Sequence, residues 1–296
     1  MTINRVTQQS MSTGALAGLQ ANLTRLQALQ QQMTSGKQIV RPSDSPGGTV
    51  AAMQLRGDLR LSAQYARNAN DGIGWLGTLD GTMTGMVTAL QRARDVLVAG
   101  MSAGPADAPG ARDALANEID SLRSTMLAAA NTRYLDRPIF GGTTAGSEAY
   151  DAAGTYMGDT GAVMRTVADG TRVRVDSSGP DVLGDGTSGV FAVLSNIANN
   201  LRTNPATLGN DLKDLDTAMT KVSTELASVG TRYNELMQLG QTATDRQTTL
   251  AAQLSDVEDI DLPKTITDLQ LQQTAYQAAL AATAKVLQPS LLDFLR

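Results

Sequence analysis

The 296-residue sequence predicts a mainly α-helical fold, elongated and nested, with a small β-rich insertion near its middle. Three observations carry that expectation. Both ends of the chain repeat apolar residues at alternating four- and three-residue steps, the rhythm of helices that pair with one another. Long stretches between the ends keep the same rhythm and lose it only in one glycine-dense segment. Aromatic residues make up 3% of the chain, which favours thin helical bundles over a thick core built on aromatic rings.

In chain order, a first helix is expected over residues 12–34, with Leu16, Leu19, Leu23, Leu26 and Met33 on one seam and Ser35-Gly36 as its stop. Arg41-Pro42-Ser43-Asp44-Ser45-Pro46-Gly47-Gly48 then packs prolines, glycines and turn-forming Ser and Asp into eight positions. Arg41, Pro42, Ser43, Asp44 and Pro46 therefore mark an inter-domain joint. A long helix over 49–101 repeats Ala52, Leu55, Leu59, Ala66, Ala69, Ile73 and Leu76. It then slips by three residues and resumes at Leu79, Met83, Met86, Leu90, Ala93 and Leu97. Pro105 and Pro109 turn the chain into a third helix over 111–132, with Leu115, Ile119, Leu122 and Met126 on one face.

Composition changes at Arg137-Pro138-Ile139-Phe140-Gly141-Gly142. Residues 163–176 read as a β-hairpin, in which Ala168-Asp169-Gly170 turns and Val173 and Val175 alternate with Arg172 and Arg174. Helix returns over 190–201. From Leu208 a regular heptad runs through Leu212, Leu215, Met219, Val222, Leu226, Val229, Tyr233 and Leu236 to Leu250, Leu254 and Val257. A last helix over 262–287 carries Leu262, Ile266, Leu269, Tyr276, Leu280 and Leu287 on its seam. Gln273 and Thr283 interrupt that seam, and Pro289 precedes an amphipathic tail with Leu291 and Phe294. The two terminal helices are expected to zip together or into neighbouring copies, weakly ordered in the free monomer and becoming fixed on assembly. The expected organisation is thus a terminal coiled-coil domain (1–40 plus 260–296), a long-helix bundle (41–140 plus 190–259) and a β-rich outer insertion (141–189).

Cysteine and histidine are both absent, so disulfides, Cys/His metal sites and imidazole- or thiol-dependent catalysis are excluded. No cofactor is expected. A formal charge of −5 and a pI near 4.8 argue against a nucleic-acid partner, and Arg92, Arg94 and Arg123 are too scattered to form a basic face. No apolar run approaches the length of a membrane span, so no membrane insertion is expected. The N-terminal residues are polar where a Sec-type signal would be apolar.

Three motifs invite a chemical reading, and none has the right context. Gly72-Ile73-Gly74-Trp75-Leu76-Gly77 matches the dinucleotide-binding glycine pattern, but no strand feeds it, so its glycines are expected at a helix contact. Ser35-Gly36-Lys37 lacks the remainder of a phosphate-binding loop, leaving Lys37 as a solvated helix-end cation. Asp256, Glu258, Asp259 and Asp261 lack the spacing and glycine of a calcium loop and read as an exposed acidic helix junction. With no site surviving, an enzyme is not expected.

Several stretches together resemble the flagellin superfamily. These are Thr34-Ser35-Gly36-Lys37 through Asp44, Arg67-Asn68-Ala69-Asn70-Asp71-Gly72-Ile73, Leu90-Gln91-Arg92-Ala93-Arg94, Asp268-Leu269, Tyr276-Gln277-Ala278 and Ser290-Leu291-Leu292-Asp293-Phe294-Leu295. They occur in matching order over about the first 140 and last 100 residues. The joint at Arg41 to Pro46 and the Leu292-Asp293-Phe294-Leu295 ending are similar to the hook–filament junction branch of that superfamily. Asn68 to Ile73 is shared with the filament subunit, and Gln288-Pro289 is slightly nearer to it. The resemblance implies a structural protein of the bacterial flagellum, exported unfolded by the flagellar type III route without a cleaved signal. It implies an export chaperone on the C-terminal helix and a ring of copies between the hook-side junction protein and flagellin, whose assembly the ring would template. The terminal helices would line the inner tube, and the β-insertion would face outward. The alternatives are a flagellin filament subunit and, from another class, a cytosolic helical adaptor or signalling rod.

Overall fold

The computed structural model describes residues 8–102, 109–144, 146 and 148–287. Its helices are α1 (Gln8–Ser35), α2 (Pro46–Ser102), α3 (Pro109–Ala130), α4 (Gly179–Val182), α5 (Val190–Thr203), α6 (Leu208–Glu258) and α7 (Leu262–Leu287). Two short antiparallel hairpins complete it: β1 (Arg133–Tyr134) with β2 (Arg137–Pro138), and β3 (Met164–Ala168) with β4 (Thr171–Arg174). The fold is mainly α with a small β component, as the periodicity predicts. The 51-residue α6 runs unbroken through Gly240 and Gln247, a length of about 75 Å.

The chain divides into two compact units, one of residues 1–60 with 248–296 and one of Leu61–Gln247. In the second unit, the resumed heptad of α2 forms the centre of the core. Leu79, Met83, Met86, Leu90, Ala93 and Leu97 are all fully buried, together with Ile119 and Met126 of α3 and Leu215, Val222, Val229 and Leu236 of α6. Ion pairs rim this core. Arg92 pairs with Glu118 at 2.7 Å, Arg94 with Asp216 at 2.8 Å and Arg202 with Asp120 at 2.7 Å. These three arginines are each committed to a neighbouring helix.

Five aromatic residues pack in two groups beside the β segments. Tyr150 packs against Phe191 and Tyr156 with ring centroids 5.1 and 5.3 Å apart. Trp75 is buried beneath Tyr134, with the Arg137 and Arg165 guanidinium groups 5.6 and 5.9 Å from its ring centroid. In the β3–β4 hairpin Val167 and Val173 are buried while Arg172 is exposed, so the expected alternation holds, with a bulge between Thr166 and Ala168. The glycines of the dinucleotide-like motif lie inside α2 as contact residues. A Cβ on Gly72 would come within 2.7 Å of Leu236 Cδ1, and one on Gly74 within 2.4 Å of the Tyr134 hydroxyl.

In the first unit α1 packs antiparallel against α7. The elbows between α1 and α2 and between α6 and α7 are laced together here. Gly36, at φ 69°, ends α1 in the left-handed region that glycine adopts without strain, and its amide returns to the Gln32 carbonyl at 2.8 Å. The Gln38 amide donates to the Glu258 carbonyl at 2.6 Å, and the Ile260 amide to the Gly36 carbonyl at 3.2 Å.

Candidate assembly surface

The α1–α7 pair is built on two matching heptads. Half-buried or buried positions recur at Ala15, Leu19, Asn22, Leu26, Leu29 and Met33 on α1, and at Thr265, Leu269, Gln272, Tyr276, Ala279 and Thr283 on α7. Register is visible directly, because the Gln272 side-chain amide donates to both the backbone carbonyl and the side-chain oxygen of Asn22 at 3.2 Å.

This arrangement divides the expected seam residues into two groups. Leu19, Leu26, Met33, Leu269 and Tyr276 meet between the helices. Leu16, Leu23, Ile266 and Leu280 do not, and remain 51%, 39%, 41% and 44% exposed. Leu262 is also exposed, at 54%. The expectation that Gln273 and Thr283 interrupt one seam is corrected accordingly. Gln273 faces outward with the leucines, whereas Thr283 is buried on the inner face. Sequence reading merged two faces because it followed hydrophobicity, and both faces carry large apolar residues while the inner one also holds Asn22, Gln272, Thr265 and Thr283.

Leu16, Leu23, Ile266 and Leu280 each follow an inner position by one residue, and in an antiparallel pair such positions of both helices line the same flank. The result is an apolar flank along the pair, with Leu271 and Leu262 exposed at 68% and 54% away from it. Leu287 lies in α7, but its side chain is outside the described residues, as are Leu291 and Phe294.

The elbow beside the pair carries its electrostatics. Glu258, the last residue of α6, has a side chain only 5% exposed, with Arg56 at 2.8 Å and Lys37 at 3.5 Å. Lys37 also donates to Asp259 at 2.6 Å. The Lys37 ammonium, ahead of the Ser255 hydroxyl, holds the Asp259 carboxyl below the usual carboxylate range, and the same bond raises Lys37. Two expectations are corrected here. Lys37 is a paired cation rather than a free solvated one, and Glu258 is a buried anion rather than part of an exposed acidic run. Arg41, Pro42, Ser43, Asp44 and Pro46 are exposed on the neighbouring turn. Asp44 closes that turn by accepting from the Arg41 and Val40 amides at 2.7 and 3.2 Å, and Ser45 caps α2 by accepting from Gly48 at 3.2 Å.

A nested chain whose ends pair, with an insertion between long helices, has counterparts among known families. The model of the bacterial flagellin N-terminal helical region matches residues 6–145, and that of the C-terminal helical region matches residues 212–295. The chain belongs to the flagellin family. Flagellar hook-associated protein 3 of Escherichia coli K12 is 25% identical over 304 residues, covering 94% of this chain and 95% of its own. Flagellin of Bacillus subtilis 168 is 25% identical over 299 residues, covering 96% of each. The crystal structure of Bacillus cereus FlgL shares the fold with a TM-score of 0.61 at 20% identity, over 68% of this chain and 99% of that one. The two matched regions include α1 and α7, the helices that carry the apolar flank. Among the described residues no helix is long and apolar enough to cross a membrane.

Proposed function

We propose that this chain is a structural protein of the bacterial flagellum, forming the layer between hook and filament. The observation that carries the reading is the apolar flank of Leu16, Leu23, Ile266 and Leu280, left open on a helix pair in a flagellin-family chain. An exposed apolar stripe of this kind marks a surface that another helix covers. In this reading the pair is completed by neighbouring copies in a ring, with the hook-side junction protein on one side and flagellin, whose growth the ring templates, on the other. The three-part division expected from the sequence gives each module a place: 1–40 with 260–296 in the inner tube, 41–140 with 190–259 as the surrounding bundle, and 141–189 outermost. Export in an unfolded state by the flagellar type III route, with a chaperone on the C-terminal helix, belongs to the same proposal and places the protein outside the cell. The role is structural, and no catalytic step is assigned.

The Bacillus subtilis flagellin match, as extensive as the hook-associated one, supports the filament subunit as a second reading. Electron microscopy separates the two. The purified protein, mixed with isolated hooks bearing the hook-side junction protein, is expected to add a short distal layer from which flagellin then grows. Long filaments from the protein alone would favour the flagellin reading. Failure to bind hooks, together with failure to polymerise, would overturn both and favour a cytosolic adaptor. In cells, Leu280→Asp is expected to abolish incorporation while the Leu61–Gln247 unit stays folded.

A further inference from the structure

The β1–β2 hairpin turns on Leu135 and Asp136, at φ 45° and 62°. Both angles lie in the left-handed region, which residues other than glycine, asparagine and aspartate enter at a cost. Leucine is therefore ill-suited to this turn by conformation, and equally so by solvation. At 72% it is the most exposed large apolar side chain among the described residues. The strand pairing on either side holds it there, and the Arg133 guanidinium reaches across the turn to the Asp136 carbonyl. Strain kept at a tip that packs on nothing in its own fold calls for a contact outside it.

A receptor for that tip lies on the same unit. Between the start of α5 and one face of α6 is a cleft of about 300 Å³, floored by Leu183, Val190 and Val193. Asp214 and Lys221 stand on its rim, two turns of α6 and about 10 Å apart. The charges match as well. Exposed Arg133 and Asp136 flank Leu135 as exposed Asp214 and Lys221 flank the cleft.

Tip and cleft do not meet within one chain. Tyr134 packs on Trp75 of α2, whereas the rim of the cleft is level with Arg94 of α2, which pairs with Asp216. The stretch of α2 between those two levels is about 30 Å long.

We infer that Leu135 of one copy seats in the α5–α6 cleft of the next, with Arg133 against Asp214 and Asp136 against Lys221. Such a contact is head-to-tail, so it repeats from copy to copy around a ring or along a helix. Burying one leucine contributes far less than two proteins lose in freedom on associating. The contact therefore sets the register of copies that other surfaces gather. The inference rests on the reading that copies of this chain assemble, and names a contact between them.

The chain has no cysteine, so a disulfide between introduced cysteines reports the contact directly, forming only where the two Cα atoms come within about 7 Å. Full-length Leu135→Cys and Thr217→Cys chains, the second altered on the cleft wall, are made in the same cells. Flagella are isolated and oxidised, and the chains are detected after non-reducing electrophoresis. Together the variants are expected to give a product of two chains, and each alone none. Asp214→Arg added to the Thr217→Cys chain should cut that yield about tenfold, and Arg133→Glu added to the Leu135→Cys chain should restore it. Chains recovered with hooks but never linked would overturn the inference and leave the hook-layer reading standing. A Leu135→Cys chain that links to itself, or a charge exchange that fails to restore the yield, would do the same. Linkage in long filaments of this protein alone would support the inference and favour the filament subunit. Recovery with neither hooks nor filaments would overturn both readings and the inference with them.

Discussion

Lys37 and Asp259 stand 222 positions apart in sequence, and the ammonium of one donates to the carboxylate of the other at 2.6 Å. The contact ties the exit of α1 to the entry of α7 beside the Gln38–Glu258 and Ile260–Gly36 backbone bonds, so its titration adds a modest pH-dependent contribution to the elbow. A carboxyl lowered on folding adds stability above its unfolded pKa, and that stability is lost as pH falls through the folded value. An ammonium raised on folding adds stability below its unfolded pKa, lost as pH rises through the folded value. With Asp259 lowered and Lys37 raised, the elbow is firmest between about pH 4 and about pH 10. Protection factors of the Gln38 and Ile260 amides should fall as pH drops below about 4, and Asp259→Asn should remove that acid step. Protection that is flat from neutral pH into strong acid would disprove the linkage.

Glu258→Gln tests the same elbow without changing its shape. The glutamine keeps the volume but gives Lys37 and Arg56 no anion. Those cations are 43% and 57% exposed against 5% for Glu258, so they can turn to water once released. The expected loss is about 1–2 kcal/mol, less than a stranded buried charge would cost. Urea unfolding of the variant against the parent measures it, and a loss of about 3–5 kcal/mol, that of a broken buried pair, would mean that the cations remain trapped.

The helices were legible in the sequence because each carries its own period. Residues 262–287 read as helix and fold as α7 over that same span, and Asp169-Gly170 announced the turn between β3 and β4. The β1–β2 hairpin was not legible. Its turn places Leu135 and Asp136 at φ 45° and 62°, where Asn-Gly would have been the recognisable signal. The division of the terminal seam was hidden for a different reason. Hydrophobicity ranks Leu280 above Thr283, yet Thr283 holds the inner position, its hydroxyl satisfied by the Ala279 carbonyl, and the leucine lies outside. Burial of Glu258 was hidden because its cations lie 202 and 221 positions earlier in the chain, and local composition shows only an acidic run.

Gly72→Ala tests whether the glycine pattern of α2 is a packing feature. Alanine is the better helix former by about 1 kcal/mol, so an open site would be stabilised. Here the added Cβ would lie 2.7 Å from Leu236 Cδ1 and 3.0 Å from Val175 Cγ1. The leucine tip can move, but the β-branched valine on a docked segment yields less. Overpacking of this kind costs about 1–3 kcal/mol, so the net effect lies between neutrality and a destabilisation of about 2 kcal/mol. Trp75, the one tryptophan of the chain, lies three residues away and reports the transition by fluorescence. A raised melting temperature would show that the contact relaxes freely.

The Asp176 side chain ties the start of the β3 segment to Arg174 of β4, and its removal should be the most damaging of these changes. Its side chain is fully buried and accepts from the Val163 amide and the Arg174 guanidinium, both at 2.9 Å. Its own carbonyl accepts from Arg232 of α6 at 2.6 Å, and Arg232 reaches on to Glu225 at 2.8 Å. Asp176→Ala leaves a buried amide without its acceptor and a partly buried guanidinium without its anion, a loss of about 3–5 kcal/mol. Making the same change in an Arg174→Ala background should cost less, because the cation it would strand is already gone. Thermal unfolding of the four chains of that cycle gives the coupling. Equal losses in the two backgrounds would mean that Asp176 acts through the Val163 amide alone, with the arginine a bystander at the surface.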